Sequence, residues 1–284
     1  MSQKILVTGA TGAVGSELVR LLGKADVDVR AGTRRPARAA ELFGSGVEVV
    51  ELDYARVVTF DAAVEWAERI FLISPPFDPH VYETLSPLLD WAVQAGVSHV
   101  VAMSAMGMEV REDLPIRKLE RHILSLGVDW TFLRPNLLMQ NFGFLAERMR
   151  RTGAFSMPVK DARVSLVDGR DVAAVAALAL TTAAHMGKAY TLTGPEALTH
   201  AEVAETISKV AGRVVTFRQC NDEEMLGWLI GSGWRPEVAG AVIALYQAVR
   251  AGVREAVTSE VETLLGRPPI SFRRFAEDHS DLWR

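Results

Sequence analysis

Short apolar runs alternate along this chain with longer stretches whose apolar residues recur every three or four positions. The runs KILVTG (4–9), DVRAGTR (28–34), VEVVELD (47–53), RIFLIS (69–74), HVVAMSA (99–105) and DWTFLRP (129–135) predict strands. Between them the spacing predicts helices. One covers 16–24, with Leu18, Leu21 and Leu22 on one face. A second covers 80–95, carrying Val81, Leu85, Leu88, Leu89 and Ala92, and a third covers 116–127, closed by Gly127. Pro75 and Pro76 stop the fourth strand, and Gly96 stops the helix before the fifth. Apolar strands in strict alternation with helices predict an α/β fold, a doubly wound parallel sheet covered on both faces.

The last third reads differently. A helix over 171–182, a strand over 188–194 and a helix over 199–212 opened by Thr199 continue the pattern. From Asn221 to Gly252 the periodicity is helical but broken at Gly231, Gly233 and Pro236, and it carries Met225, Trp228, Trp234 and Tyr246. The expected division is a parallel-sheet domain over 1–194 and a smaller, mostly helical lobe over 195–284. That lobe reads either as ordinary helical core or as a substrate lid.

Composition narrows the function. The 284 residues have a formal net charge of −4, with mixed signs and no basic block, so neither nucleic acid nor a membrane surface is the expected partner. A small molecule is, for a monomer or homodimer. The single cysteine, Cys220, allows no internal disulfide and suits a reducing cytoplasm. MSQKILVTG enters a strand at once, leaving no room for a signal peptide, and the Ala-rich run from Val172 is too short to span a bilayer. The histidines at 80, 99, 122, 185, 200 and 279 lack ligand spacing, so no metal is expected. Glu109, Glu112 and Asp113 read as a solvated turn.

The strongest chemical signal is VTGATGAVGSELV, in which Gly9, Gly12 and Gly15 follow a strand and open a helix. Glycines permit a tight turn and a close backbone approach to pyrophosphate, and the helix N-terminus offers free N–H groups. Thr11, Ala13 and Val14 complete the loop. After the second strand an acidic residue would select NAD, but this chain has Thr33, Arg34 and Arg35. Arginine's planar fork suits a 2′-phosphate, so NADP(H) is the predicted cofactor. Strand ends then place Asp53 and Tyr54 toward adenine, and Ser74, Pro75 and Pro76 toward the ribose and nicotinamide. Ser104 and Ala105, with Pro135 and Asn136, fall on the nicotinamide side. Each of these also reads as a turn former. Met106, Phe142 and Trp228 are the candidate substrate contacts.

The segments TGATGAVG, LRPNLLMQNF (133–142), VDGRDVAAVAALAL (167–180), YTLTGPEALTHAEVAE (190–205) and GRPPISF (266–272) together resemble the atypical, NmrA-like short-chain dehydrogenases/reductases. The bacterial quinone-reductase and ergot-alkaloid-reductase-like members are nearest. The resemblance spans nearly the whole chain. It implies a Rossmann sheet with a variable C-terminal lobe over the nicotinamide. Ordinary members use serine, tyrosine and lysine, and Ser104 matches the serine. With the lysine four residues before Glu120, Ile116 falls at the lysine position and Glu112 at the tyrosine position. With Lys118 as the lysine, Leu114 falls at the tyrosine position. Neither register supplies a tyrosine, and Tyr82 and Tyr246 read as structural or as late substitutes. Hydride transfer without a proton donor suits a quinone, an iminium, or a ketone whose product anion is stabilised internally. The first reading is therefore an NADPH-dependent reductase of a bulky polycyclic or quinone-like carbonyl, for which tailoring ketoreductases of aromatic polyketide antibiotics are an example. A quinone or imine reductase is the second. A non-catalytic NADP(H)-binding sensor is the third.

Overall fold

In the computed structural model, which describes residues 2–284, the chain forms two compact units, each discontinuous in sequence. The first comprises Met1–Pro76, His80–Pro135 and Gly169–Thr191, and the second Phe77–Pro79, Asn136–Asp168 and Leu192–Arg284. The sequence reading sets one boundary after Gly194. The contacts also assign 136–168, ahead of that point, to the second unit, because the chain leaves the sheet after Pro135 and returns at Gly169.

The first unit runs β1 (Gln3–Val7), α1 (Ala13–Leu22), β2 (Val27–Thr33), α2 (Pro36–Phe43), β3 (Glu48–Glu51), α3 (Phe60–Val64) and β4 (Arg69–Leu72). It continues with α4 (Val81–Gln94), β5 (His99–Met103), α5 (Pro115–Ser125) and β6 (Asp129–Pro135). After α6 (Ala146–Thr152) and β7 (Ala154–Met157) in the second unit, α7 (Gly169–Thr181) and β8 (Lys188–Leu192) complete the sheet. Its order is β3-β2-β1-β4-β5-β6-β8 over seven strands. The β1–β2, β1–β4, β2–β3, β4–β5 and β5–β6 pairs are parallel. Ile5, Leu6 and Val7 are all fully buried, as a sheet covered on both faces requires. Ala173, Ala176 and Ala179 let α7 lie close against α1.

Two helices escape the apolar pattern. Of the α2 residues Ala39 alone is buried, with Pro36 and Phe43 half-buried on the same side, and α3 is five residues long. In the second unit β7 pairs in parallel with β9 (Thr216–Gln219). Around this pair stand α8 (His200–Ala211), α9 (Asp222–Gly231), α10 (Pro236–Arg250), α11 (Glu260–Leu265) and α12 (Phe272–Asp278). The predicted break at Gly231–Pro236 separates α9 from α10, with Pro236 at the first helical position, where a missing N–H costs nothing. Thr199 caps α8 through a full capping box with Glu202, worth about 1 kcal/mol. Phe142, Phe155, Phe272, Phe275 and Trp283 fill the unit's core. Among the described residues no helix is long and apolar enough to cross a membrane.

Candidate functional site

The strand order of the first unit reverses between β1 and β4, so the loops after Val7 and Leu72 flank a crevice at the carboxyl edge of the sheet. The loop glycines have distinct duties there. Gly9 has φ +59°, a conformation L side chains rarely adopt, and a Cβ on it would overlap the Ile73 side chain. A Cβ on Gly15 would overlap the Gly9 carbonyl, so this glycine lets α1 start against its own loop. Gly12 is the N-cap of α1. No side chain caps the helix and its first turn holds no acidic residue, so the leading N–H groups are left for an anion. A phosphate cradle that added Cβ atoms would fill fits the backbone that pyrophosphate needs.

The floor of the crevice is tied together by hydrogen bonds. Ile73 N donates to Thr8 Oγ1 (3.1 Å), and Tyr54 Oη donates to Ile73 O (2.8 Å). Burial of that hydroxyl pushes Tyr54 up to about 12, against the opposing pull of Thr8 and Arg34, so it stays a donor. Thr33 is buried. Its hydroxyl lies 3.4 Å from that of Thr11 and accepts from Arg35 N at 3.2 Å. Arg34 and Arg35 are exposed, and no carboxylate of the described structure pairs with either. Asp53 is half-buried, and its Oδ1 accepts from Ala55 N (3.1 Å), closing its own turn. Ser74 and Pro75 are half-buried and Pro76 is exposed, all directly after β4.

The segment 104–120 corrects one expectation. Ser104 N donates to Leu133 O and Met106 N to Pro135 O, so both continue the β5–β6 pairing and both are buried. The Ser104 hydroxyl, expected to orient a substrate oxygen, is closed off from solvent and short of hydrogen-bond geometry to any partner. It faces the Glu120 carboxylate. Burial raises the Glu120 pKa, but Arg134, Ser104 and Arg117 outweigh it and hold the group below the usual carboxylate range. Arg117 Nη1 lies 2.6 Å and Arg134 Nη2 2.9 Å from Glu120 Oε2. Glu112 binds Arg117 (3.0 Å) and Arg121 (2.7 Å), and Glu109 binds Arg134 (3.2 Å). Glu109 and Glu112 are therefore clamps on β6 and α5 rather than members of a merely solvated turn. Lys118 is exposed, and Ile116 packs on the core.

The tyrosines are accounted for. Tyr82 meets His122 edge-on at 5.8 Å, and Tyr190 Oη lies 2.8 Å from His185 Nδ1. Tyr54 closes the crevice floor, and Tyr246 lies in the second unit, in the wall of a cavity.

That cavity, of about 590 Å³, lies wholly within the second unit. Phe142 and Trp228, both expected as substrate contacts, line it. Met106 does not. It is buried in the first unit. Asn136, expected near nicotinamide, is buried in the second unit, where its Nδ2 donates to Ser165 Oγ and Arg254 O (both 2.8 Å). It ties three segments together because a buried amide needs partners. The sequence reading missed Phe77, Phe144, Trp234 and His200 in the lining. Phe77 holds φ +55°, a strained conformation for a side chain of its size, and sets its ring 6.2 Å from Trp234. An aromatic at a prolyl turn, SPPFDP, was the signal available for it. Burial lowers His200 to about 4, so its imidazole is neutral at pH 7. It sits between Phe142 and Phe217, with Nδ1 bonded to nothing. Burial likewise pushes the Tyr246 hydroxyl up to about 12.

The sequence model of the NmrA-like family matches residues 1–265. An NAD(P)H azoreductase of Xenophilus azovorans is 35% identical over 282 residues, covering 97% of this chain and 98% of that protein. A (4-alkanoyl-5-oxo-2,5-dihydrofuran-3-yl)methyl phosphate reductase of Streptomyces griseus subsp. griseus is 37% identical, covering 98% and 99%. Among solved structures, the NADPH complex of an Escherichia coli NADPH-dependent quinone oxidoreductase superposes with a TM-score of 0.84 at 24% identity, covering 96% and 99% of the two chains. That likeness is one of fold.

Proposed function

The chain belongs to the NmrA-like family, and from that premise we propose that it is an NADPH-dependent reductase of a flat aromatic acceptor. The acceptor class is a quinone, an azo compound or a polycyclic aromatic ketone of the kind handled by tailoring ketoreductases. The observation that carries the reading is the pairing, in one chain, of a glycine cradle backed by unpaired Arg34 and Arg35 with a 590 Å³ cavity walled by aromatic rings. As full-length matches above 30% identity, the azoreductase and phosphate-reductase relatives both support a reductase, and the azoreductase alone supports the aromatic acceptor.

When bound, NADPH supplies a hydride. The chain's own residues do the rest. The backbone of 9–15 and the N-terminus of α1 hold the pyrophosphate, and Arg34 and Arg35 hold the 2′-phosphate as charge-assisted donors. Phe142, Trp228 and Trp234 enclose an aromatic ring and exclude water. Tyr246 and His200, both neutral at pH 7, are among the polar groups of the wall, which also holds Asn141, Thr152 and Ser232, and these groups orient the acceptor's heteroatoms. No tyrosine stands in the 104–120 segment, so the acceptor must take a hydride as a stable anion and collect its proton from water.

The test is NADPH oxidation, followed at 340 nm, against quinones, azo dyes, polycyclic ketones and cyclic imines. Turnover of a quinone, an azo dye or a polycyclic ketone is expected. Tight NADP binding with no turnover of any acceptor would instead make the chain a redox sensor.

A further inference from the structure

Two arginines of α6, half-buried Arg148 and exposed Arg151, line the aromatic cavity. Arg148 is half-buried with its guanidinium over the Trp228 ring, 5.4 Å from the centroid. Arg117, Arg134 and Arg250, comparably enclosed, are each bound by a carboxylate within 3.2 Å. The Arg148 guanidinium makes no hydrogen bond and no ion pair in the described structure, and neither does that of Arg151. A guanidinium carries five N–H donors, and those of Arg148 and Arg151, taken by no protein group and reached by solvent, are available to a ligand.

The acids nearby are engaged elsewhere. Asp222 is held by Arg250 at 2.7 Å and by Gln247 at 3.0 Å. Glu224 is taken up in the capping box of α9 with Asn221. Glu147 is the one carboxylate in the lining and is exposed, so the charged lining amounts to two arginines against one glutamate. His200 adds no charge at neutral pH. The cavity is thus rich in aromatic side chains, and its charged lining is net positive. The cation–π approach to Trp228 holds the Arg148 guanidinium in the wall, and its unpaired donors suit bidentate bonding to an oxyanion.

We propose that this cavity selects aromatic ligands bearing an anionic substituent (sulfonate, carboxylate or phosphate), with Arg148, steadied by Trp228, as the specificity-determining residue and Arg151 as its partner. The proposal deepens the reductase reading by naming the acceptor's charge, yet the anion site stands on its own geometry.

Its test uses a pair of fluorescent probes that are not reduced. 1-Anilinonaphthalene-8-sulfonate carries the anion, and N-phenyl-1-naphthylamine is its neutral counterpart. The sulfonate is expected to bind the full-length protein, with the R148Q/R151Q double variant weakening it at least tenfold relative to the neutral probe. Rising salt should weaken the sulfonate selectively. NADPH affinity serves as the fold control. Failure of the sulfonate to bind, or equal weakening of both probes, would overturn the anion site. A second arm compares kcat/KM for 1,2-naphthoquinone-4-sulfonate and 1,2-naphthoquinone. The ratio should fall at least tenfold in R148Q, which cancels the intrinsic reactivity of the two quinones. An unchanged ratio counts against the proposal. Absence of turnover with both quinones sinks the reductase reading, and the probe titration then decides the anion site alone.

Discussion

At the scale of single residues, exposure and partnering separate functional side chains from structural ones that look alike in sequence. Arg34 and Arg35 are solvent-facing and unpaired, beside a buried Thr33 that fixes the backbone of Arg35. R34A/R35A is therefore expected to raise the Kd for NADPH by about tenfold or more while moving that for NADH little, since two charge-assisted phosphate contacts are lost. Calorimetric titration of both cofactors checks this. Equal losses would remove the 2′-phosphate assignment. Ser104 is the opposite case. Its position matches a family serine, but its hydroxyl is buried against Glu120. Ser104→Ala should leave kcat within about threefold, because a group closed off from solvent orients no substrate; the general acid–base and orienting effects it would otherwise supply are worth about a hundredfold or more. A hundredfold fall in steady-state rate would restore the catalytic role.

At the scale of elements, the start of α1 and the 104–120 segment show two ways in which a loop becomes fixed. The first is fixed by having no side chains. Gly15→Ala would drive a methyl into the Gly9 carbonyl, costing about 1–3 kcal/mol and shifting the cradle. Thermal unfolding and NADPH titration of that variant should show both losses, and unaltered NADPH affinity would mean that the loop has slack. The second is fixed by charge. Glu109, Glu112 and Glu120 bind Arg117, Arg121 and Arg134 across loop, helix and strand. Glu120 is the buried member, and removing one of its two arginines would leave an uncompensated charge at a cost of about 3–5 kcal/mol. Within this segment Ile116 packs on the core and Lys118 stands in solvent.

At the scale of the whole molecule, buried histidines link stability to pH. His99 is fully buried, with Nε2 3.0 Å from Thr131 Oγ1. Burial, then Arg69, lowers it to about 4, and Asp129 opposes. Burial lowers His200 to about 4 as well. Both folded-state values lie below the unfolded value of 6.5. Above pH 6.5 neither state takes the proton and nothing is lost. Between 6.5 and about 4 the unfolded chain binds protons that the folded chain refuses, so stability falls as pH falls, and below about 4 the loss levels off. At ~1.4 kcal/mol per unit each histidine accounts for a drop of order 3 kcal/mol. Urea unfolding between pH 7.5 and 4.5 should show the decline, and His200→Gln should flatten it. A level profile would mean that neither imidazole is held neutral.

The sheet was legible in the sequence because a strand buried on both faces must be apolar throughout and a covering helix must show a 3.6-residue period. Both are local patterns, and so is the glycine loop, whose three positions are forced by a turn, a helix start and a close approach. Thr199 at the head of α8 is of the same kind, since a cap acts within four residues. The cavity was not legible. Phe77, Phe142, Arg148, His200 and Tyr246 come from separate stretches of chain, and nothing local in ERMRR distinguishes the arginines that face the cavity from Arg150, which reaches the Leu282 carbonyl. The burial of Asn136 and Ser104 was not legible for the same reason. Each sits at a strand end that suits a ligand, and packing from distant residues decides whether the side chain meets ligand or protein. Sequence alone thus determined the fold and the dinucleotide cradle, which rest on near-neighbour sterics and periodicity. The tertiary structure alone decided the aromatic cavity of the second unit and its charge, because burial and pairing are properties of what the chain brings together.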